Sequence, residues 1–191
     1  MTRLVCITPI LLVAAACGGG VPAIYSTDAR LPAEGKQRLA EAEDDLAVSL
    51  GQLRARREER EELIVRVERF EDLDDLWDRE GGNLMRSREA LLEARLELVD
   101  RRIEEAEARA SVDEARLRLA RAEVLLRYAF AAPDLEPVRK DIAELVRDRD
   151  RAIRASERAR TKLGRATDRL WREFASSAAR GGRRSNALWL E

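Results

Sequence analysis

From Ala33 onward the chain is built mainly of Ala, Leu, Glu and Arg, and clusters of helix breakers interrupt it at only two places before the C-terminal tail. The first is Gly81, Gly82 and Asn83; the second is residues 132–137, which hold Pro133 and Pro137. Two breaks leave three segments, roughly 33–79, 84–131 and 136–178, each with the composition of a long helix. Short connections between long helices force neighbours to run antiparallel. The fold expected for residues 33–178 is therefore all-α, an elongated antiparallel three-helix bundle or coiled coil.

The breaks have the chemistry of helix ends. Gly81 and Gly82 tolerate the left-handed backbone that closes a helix, and Asn83 can cap the next one by accepting from a free backbone N–H. Pro133 cannot continue the second helix. Asp134 or Glu136 can open the third, with Pro137 in its first turn, where a missing N–H costs nothing.

Periodicity assigns the places of the helices. In the second segment Leu84, Leu91, Leu98, Val112, Leu119 and Leu126 follow a seven-residue repeat broken only by Glu105. Ser87, Ala94, Arg101, Ala108, Ala115, Ala122 and Ala129 stand three residues after the positions of the same repeat, so large residues mostly alternate with small ones and neighbouring backbones can approach. Leu96, Ile103, Ala110, Leu117 and Val124 form a further apolar side. A helix with two apolar sides packs against two neighbours, which puts the second segment in the centre. The first segment (Leu39, Leu46, Leu53, Leu63, Val67, Phe70) and the third (Val138, Ile142, Leu145, Ile153, Leu163, Leu170, Phe174) each show one strip, as outer helices do.

Composition narrows function. The chain has 36 basic and 37 acidic residues; without residues 1–16, which contain Arg3, the balance is 35 against 37. Nucleic-acid binding needs a concentrated positive field, and so balanced a chain is not expected to provide one. No histidine occurs, and the only cysteines are Cys6 and Cys17. The commonest general base and the usual zinc ligands are thus missing, and no phosphate loop, dinucleotide fingerprint or nucleophile elbow is present. Catalytic residues, cofactor and metal are all expected to be none, and the chain is not expected to be an enzyme.

The N-terminus carries the most specific motif. Arg3 precedes a mostly apolar stretch over residues 4–16, which ends in three alanines before Cys17, and Gly18, Gly19 and Gly20 follow. The stretch falls short of the about 20 apolar residues that span a bilayer. It resembles the lipobox of bacterial envelope lipoproteins, and the resemblance implies signal cleavage after residue 16 and acylation of Cys17. An ordinary secretory signal cut at the same place is the competing reading. Gly18 is not the aspartate that retains many such lipoproteins in the inner membrane, so the resemblance implies an outer-membrane lipid anchor facing the periplasm. Residues 17–32, with three glycines, Pro22 and Pro32, read as a lipidated flexible tether, and residues 179–191 as a basic tail.

Several features are candidates for partner contact. Antiparallel topology gathers Phe70, Trp77, Met85, Trp171 and Phe174 at the pole far from the anchor, either to seal a thin core or to present a docking surface. Trp189 and Leu190, after the basic run 180–184, have the form of a short docking motif. The acidic run 71–80 is either a cation or partner site at the tip or a solvated helix end. Arg88, Arg95, Arg102, Arg109 and Arg116 make a seven-residue column, suited either to gripping an anionic cell-wall polymer or to pairing with carboxylates on the flanking helices.

Together these readings describe a lipid-anchored helical spacer, scaffold or adaptor, meeting proteins or further copies through its helices. In general design the chain is similar to coiled-coil envelope lipoproteins of the murein-lipoprotein kind. The alternative is a partner-binding helical hairpin of an export or efflux complex, although the flanking β domains of such adaptors have no counterpart here.

Overall fold

A computed structural model describes the backbone of residues 21–77 and 82–179 and the side chains of residues 21–69 and 84–176. Three helices fill it: α1 (Ala33–Trp77), α2 (Gly82–Arg127) and α3 (Glu136–Ala179). No strand occurs among the described residues. Helices of 44 to 46 residues at about 1.5 Å per residue give a rod close to 70 Å long.

Cross-helix contacts establish the antiparallel order. Along α1, Glu34, Arg38, Ser49, Arg57 and Arg60 meet Arg127, Glu123, Asp113, Glu107 and Asp100 of α2, so one number rises as the other falls. Between α2 and α3, Leu84 and Leu91 share a buried cluster with Leu170, and Glu97 pairs with Lys162. Among the described residues α1 packs on α2 and α2 on α3, but no Cα of α1 lies within 8 Å of one of α3. The second helix is central, as its two apolar sides predict. The outer helices stay apart, leaving a trough over α2.

The strict heptad column of α2 does not stay in the core. Leu84, Leu91, Leu98 and Val112 are buried, Leu119 is only partly so, and Leu126 is 47% exposed. A straight helix drifts by about 20° per heptad, so a seven-residue column rotates out of an interface that runs along the axis. The other apolar side responds to the same geometry. It begins as Leu92, Val99 and Ala106, which the sequence reading missed, and continues through Ala110, Leu117 and Val124, all buried. The step from Val99 to Ala110 is eleven residues, which drifts by about 20° in the sense opposite to a heptad step and so brings the apolar side back towards the interface.

Helix ends depart from expectation at two places. α2 begins at Gly82, so Asn83 lies inside the helix and not in the capping position. The other is its C-terminal end. α2 stops at Arg127, before residue 131 and before Pro133. Ala129 takes a left-handed backbone with φ 56°, Phe130 N–H bonds the Leu125 carbonyl at 2.9 Å, and Ala129 N–H bonds that of Leu126 at 3.2 Å. This is a Schellman closure with alanine in the position usually held by glycine. At the start of α3, Asp134 Oδ1 accepts from Glu136 N–H at 3.0 Å, as predicted for a helix opened there.

Residues 21–32 correct the sequence reading more substantially. They were expected as part of a flexible tether, but Ile24 and Leu31 are 2% and 4% exposed, in one cluster with Leu39, Ala120, Val124 and Leu125. Ser26 donates from its backbone and its hydroxyl to Glu43, at 3.3 and 2.6 Å. Arg30 lies over the Phe130 ring, and Arg121 over Tyr25. Two buried apolar anchors, with Val21 packed beside them, make the segment a clasp across the α1–α2 pole. The tether expectation is thereby reduced to residues 17–20, which lie outside the described residues.

Candidate functional site

The trough between α1 and α3 is floored by the arginine column of α2. One depression of about 420 Å³ is lined by Glu59, Glu62 and Arg66 of α1, Arg95 and Arg102 of α2, and Leu163 of α3. A second, of about 410 Å³, takes Asp45 and Val48 from α1, Arg109 and Arg116 from α2, and Arg149 and Ile153 from α3. The seven-residue spacing keeps these guanidinium groups on one flank of α2, between its two packed sides.

Carboxylates already occupy much of the column. Arg102 lies 3.6 Å from Glu59 across the α1–α2 contact, Arg109 lies 2.5 Å from Glu105, and Arg116 lies 3.2 Å from Asp113. Asp113 also accepts from the hydroxyl of Ser49, itself 7% exposed. Arg102 pairs with a flanking helix, as one of the two readings predicts, whereas Arg109 and Arg116 turn to carboxylates of their own helix. Arg88 is 7% exposed, tucked into the interface. Burial first, and the neighbouring Arg66 charge second, push the Arg95 guanidinium below its ordinary value. Cations and anions thus alternate in the trough, which suits it to polar packing and makes it a weak grip for a uniformly anionic polymer.

At the far pole the structure divides the aromatic group. Phe174 packs against the Leu84, Leu91 and Leu170 cluster together with Leu163 and Ala166. Trp171 meets Phe174 edge to face, with ring centroids 5.9 Å apart, yet is 55% exposed. Phe174 therefore seals the end of the core while Trp171 faces outward. Met85 is half-buried. The side chains of Phe70, Trp77 and the acidic run lie outside the described residues, as do Cys17, Trp189 and Leu190.

Among the described residues no group of three carboxylates or other ligands converges to hold a metal ion, and no helix is long and apolar enough to cross a membrane. Three features escaped the sequence reading: the clasp at Ile24 and Leu31, the close approach of Gly35 to Tyr128, and the buried Ser49 to Asp113 hydrogen bond. Only the isolated apolar residues Ile24 and Leu31 offered a signal in the sequence. No family model, no curated protein and no solved structure matches the chain.

Proposed function

We propose that the chain is a lipid-anchored, non-enzymatic envelope protein, tethered through acyl chains on Cys17 and acting as a periplasmic spacer or scaffold on the outer membrane. The observation that carries this reading is the clasp. Residues 21–32 are folded onto the α1–α2 pole, so only three residues separate Cys17 from Val21. At about 3.3–3.6 Å per residue that leash reaches no more than roughly 15 Å. A lipid on Cys17 would hold the clasped pole at the bilayer and set the opposite pole, with Trp171, most of a rod length away. Several acyl chains on one cysteine anchor firmly where a single chain anchors only marginally.

Cell fractionation of a Cys17→Ser chain tests the proposal. The expected outcome is a folded protein released from the membrane fraction and lacking the acyl mass that the wild-type chain carries. A variant that still pellets with membranes after high-salt washing would overturn the anchor.

A second reading, a partner-binding element of an export complex, is favoured by the exposure of Trp171 at the far pole. Crosslinking in intact envelopes separates the two. Recovery of an outer-membrane channel supports the export reading, and cell-wall or self-contacts support the scaffold.

A further inference from the structure

The three helices differ sharply in charge. α1 carries fourteen acidic and eight basic side chains, α2 ten of each, and α3 eight acidic and twelve basic. A neutral central helix therefore separates an acidic outer helix from a basic one. Because α1 and α3 do not approach each other, the opposite charges do not meet within one chain. The cross-helix ion pairs among the described residues join α1 to α2 or α2 to α3, and none joins α1 to α3.

Four of the acidic side chains of α1, at residues 71–75, lie outside the described residues; among those described, part of the charge stands on outward faces. On α1, Asp44, Glu58, Glu61 and Glu68 are exposed and form no ion pair among the described residues; Arg54 and Arg69 are exposed beside them, so the edge is acidic on balance. Glu58, Glu61 and Glu68 fall at helical spacing around Val65, which is 45% exposed. On α3, Lys140, Arg147, Arg154, Arg158 and Arg165 are exposed, equally without ion pairs among the described residues, and fall on one face by the same spacing rule. Apolar surface accompanies the acidic edge: besides Val65, Leu50, eleven residues before Glu61, is 48% exposed.

We infer that the acidic edge of α1 docks on the basic edge of α3 of a second copy of this chain. Charge complementarity selects the copy as occupant, since each chain presents both halves of the contact and cannot bring them together itself. The available area is adequate. A helix about 70 Å long and about 10 Å wide offers on the order of 700 Å², close to the roughly 800 Å² per partner of a standard protein interface. The contact is heterologous, joining different surfaces of the two copies, so each new copy leaves one acidic and one basic edge available for lateral growth. It deepens the scaffold reading, and it is tested without the lipid anchor, so failure of one leaves the other standing.

The experiment is sedimentation equilibrium of the full chain carrying Cys17→Ser, at low and high salt, beside two charge-reversed forms. One form adds Glu58→Arg and Glu61→Arg, which makes both edges basic; the other adds Arg158→Glu and Arg165→Glu, which leaves the α1 edge acidic and makes α3 locally acidic too. The parent chain is expected to associate at low salt and to dissociate as salt screens exposed charges beyond about 8 Å at physiological strength. Each reversed form alone should associate roughly tenfold or more weakly, and an equimolar mixture of the two should regain association, because opposite edges again face each other. Circular dichroism checks that helicity is kept. Carbodiimide coupling of mixed isotope-labelled parent chains adds a readout without substitutions, with interchain links expected from Lys140 of α3 to carboxylates of α1. A parent chain that stays monomeric at low salt overturns the proposal. So do reversed forms that associate as the parent does, or interchain links confined to α1 with α1 or α3 with α3.

Discussion

The Tyr128 ring lies so close to Gly35 that a Cβ built at Gly35 would stand 2.8 Å from Tyr128 Cε2. The glycine lets the end of α2 close down on the start of α1, directly beneath the Ile24 and Leu31 clasp. Gly35→Ala is therefore expected to destabilise the fold by about 1–3 kcal/mol through overpacking, against a helix-propensity gain of about 1 kcal/mol. Gly51 and Gly164 meet nothing within 4 Å, and alanine at either is expected to stabilise by about 0.5–1 kcal/mol. Urea unfolding of the three variants checks the contrast, and equal effects at all three positions would refute it.

Ile24 distinguishes a clasp from a tether. Truncating a buried isoleucine to alanine costs about 2–5 kcal/mol, whereas the same change in a solvated linker is nearly neutral. Ile24→Ala should lower the unfolding midpoint and speed hydrogen exchange at the clasped end of α1. An unchanged midpoint would return residues 21–32 to the status of a linker.

Ala129 holds the left-handed position of the Schellman closure with a φ of 56°. An L-residue with a Cβ is strained there by about 1 kcal/mol, and glycine is not. Ala129→Gly is expected to raise stability by up to about that amount, even though glycine substitutions usually destabilise. Thermal unfolding of the pair measures the sign.

The Ser87 hydroxyl is 1% exposed and makes no hydrogen bond with a protein group. A buried polar atom without a partner costs about 1–3 kcal/mol relative to one left in water. Ser87→Ala should leave the helix packing intact and raise the unfolding free energy by about 1 kcal/mol. A loss of stability would mean that the hydroxyl has a partner.

Asp28 is the clearest titration in the fold. Hydrogen bonds from the Arg30 side chain and backbone hold its carboxyl at about 2, below the ordinary 3.8. The folded chain keeps this charge between those values while the unfolded chain gives it up. The stabilisation is therefore fully present above the ordinary value and is lost as pH falls through about 2. Asp28, half-buried at the edge of the clasp, tunes it without governing the whole fold. Carboxyl chemical shifts should show a midpoint near 2 that moves towards 3.8 in Arg30→Ala.

Local chemistry made the helices legible before any fold was known. Gly81 to Asn83 and the two prolines of residues 132–137 mark the connections, and the observed helices begin or end within a few residues of them. The two apolar sides of α2 identified the central helix, because a helix buries each apolar side against a neighbour. The trough arginines were legible as a column, but not their partners. Arg102 chose Glu59 on another helix, while Arg116 chose Asp113 one turn away, and sequence spacing does not rank a cross-helix partner against an intrahelical one.

By itself the sequence determined which residues are helical, where the turns fall, that α2 lies between its neighbours, and that the three segments carry unequal charge. These follow from dihedral preference, apolar period and composition, all local properties of the chain. Only the tertiary structure decided that Leu126 turns outward while Val99 and Ala110 turn in, that Ile24 and Leu31 clasp the pole, and that α1 and α3 remain apart. Each of these depends on how a straight helix drifts across its neighbours and on which distant surfaces find space to close, and neither is written in any short stretch of sequence.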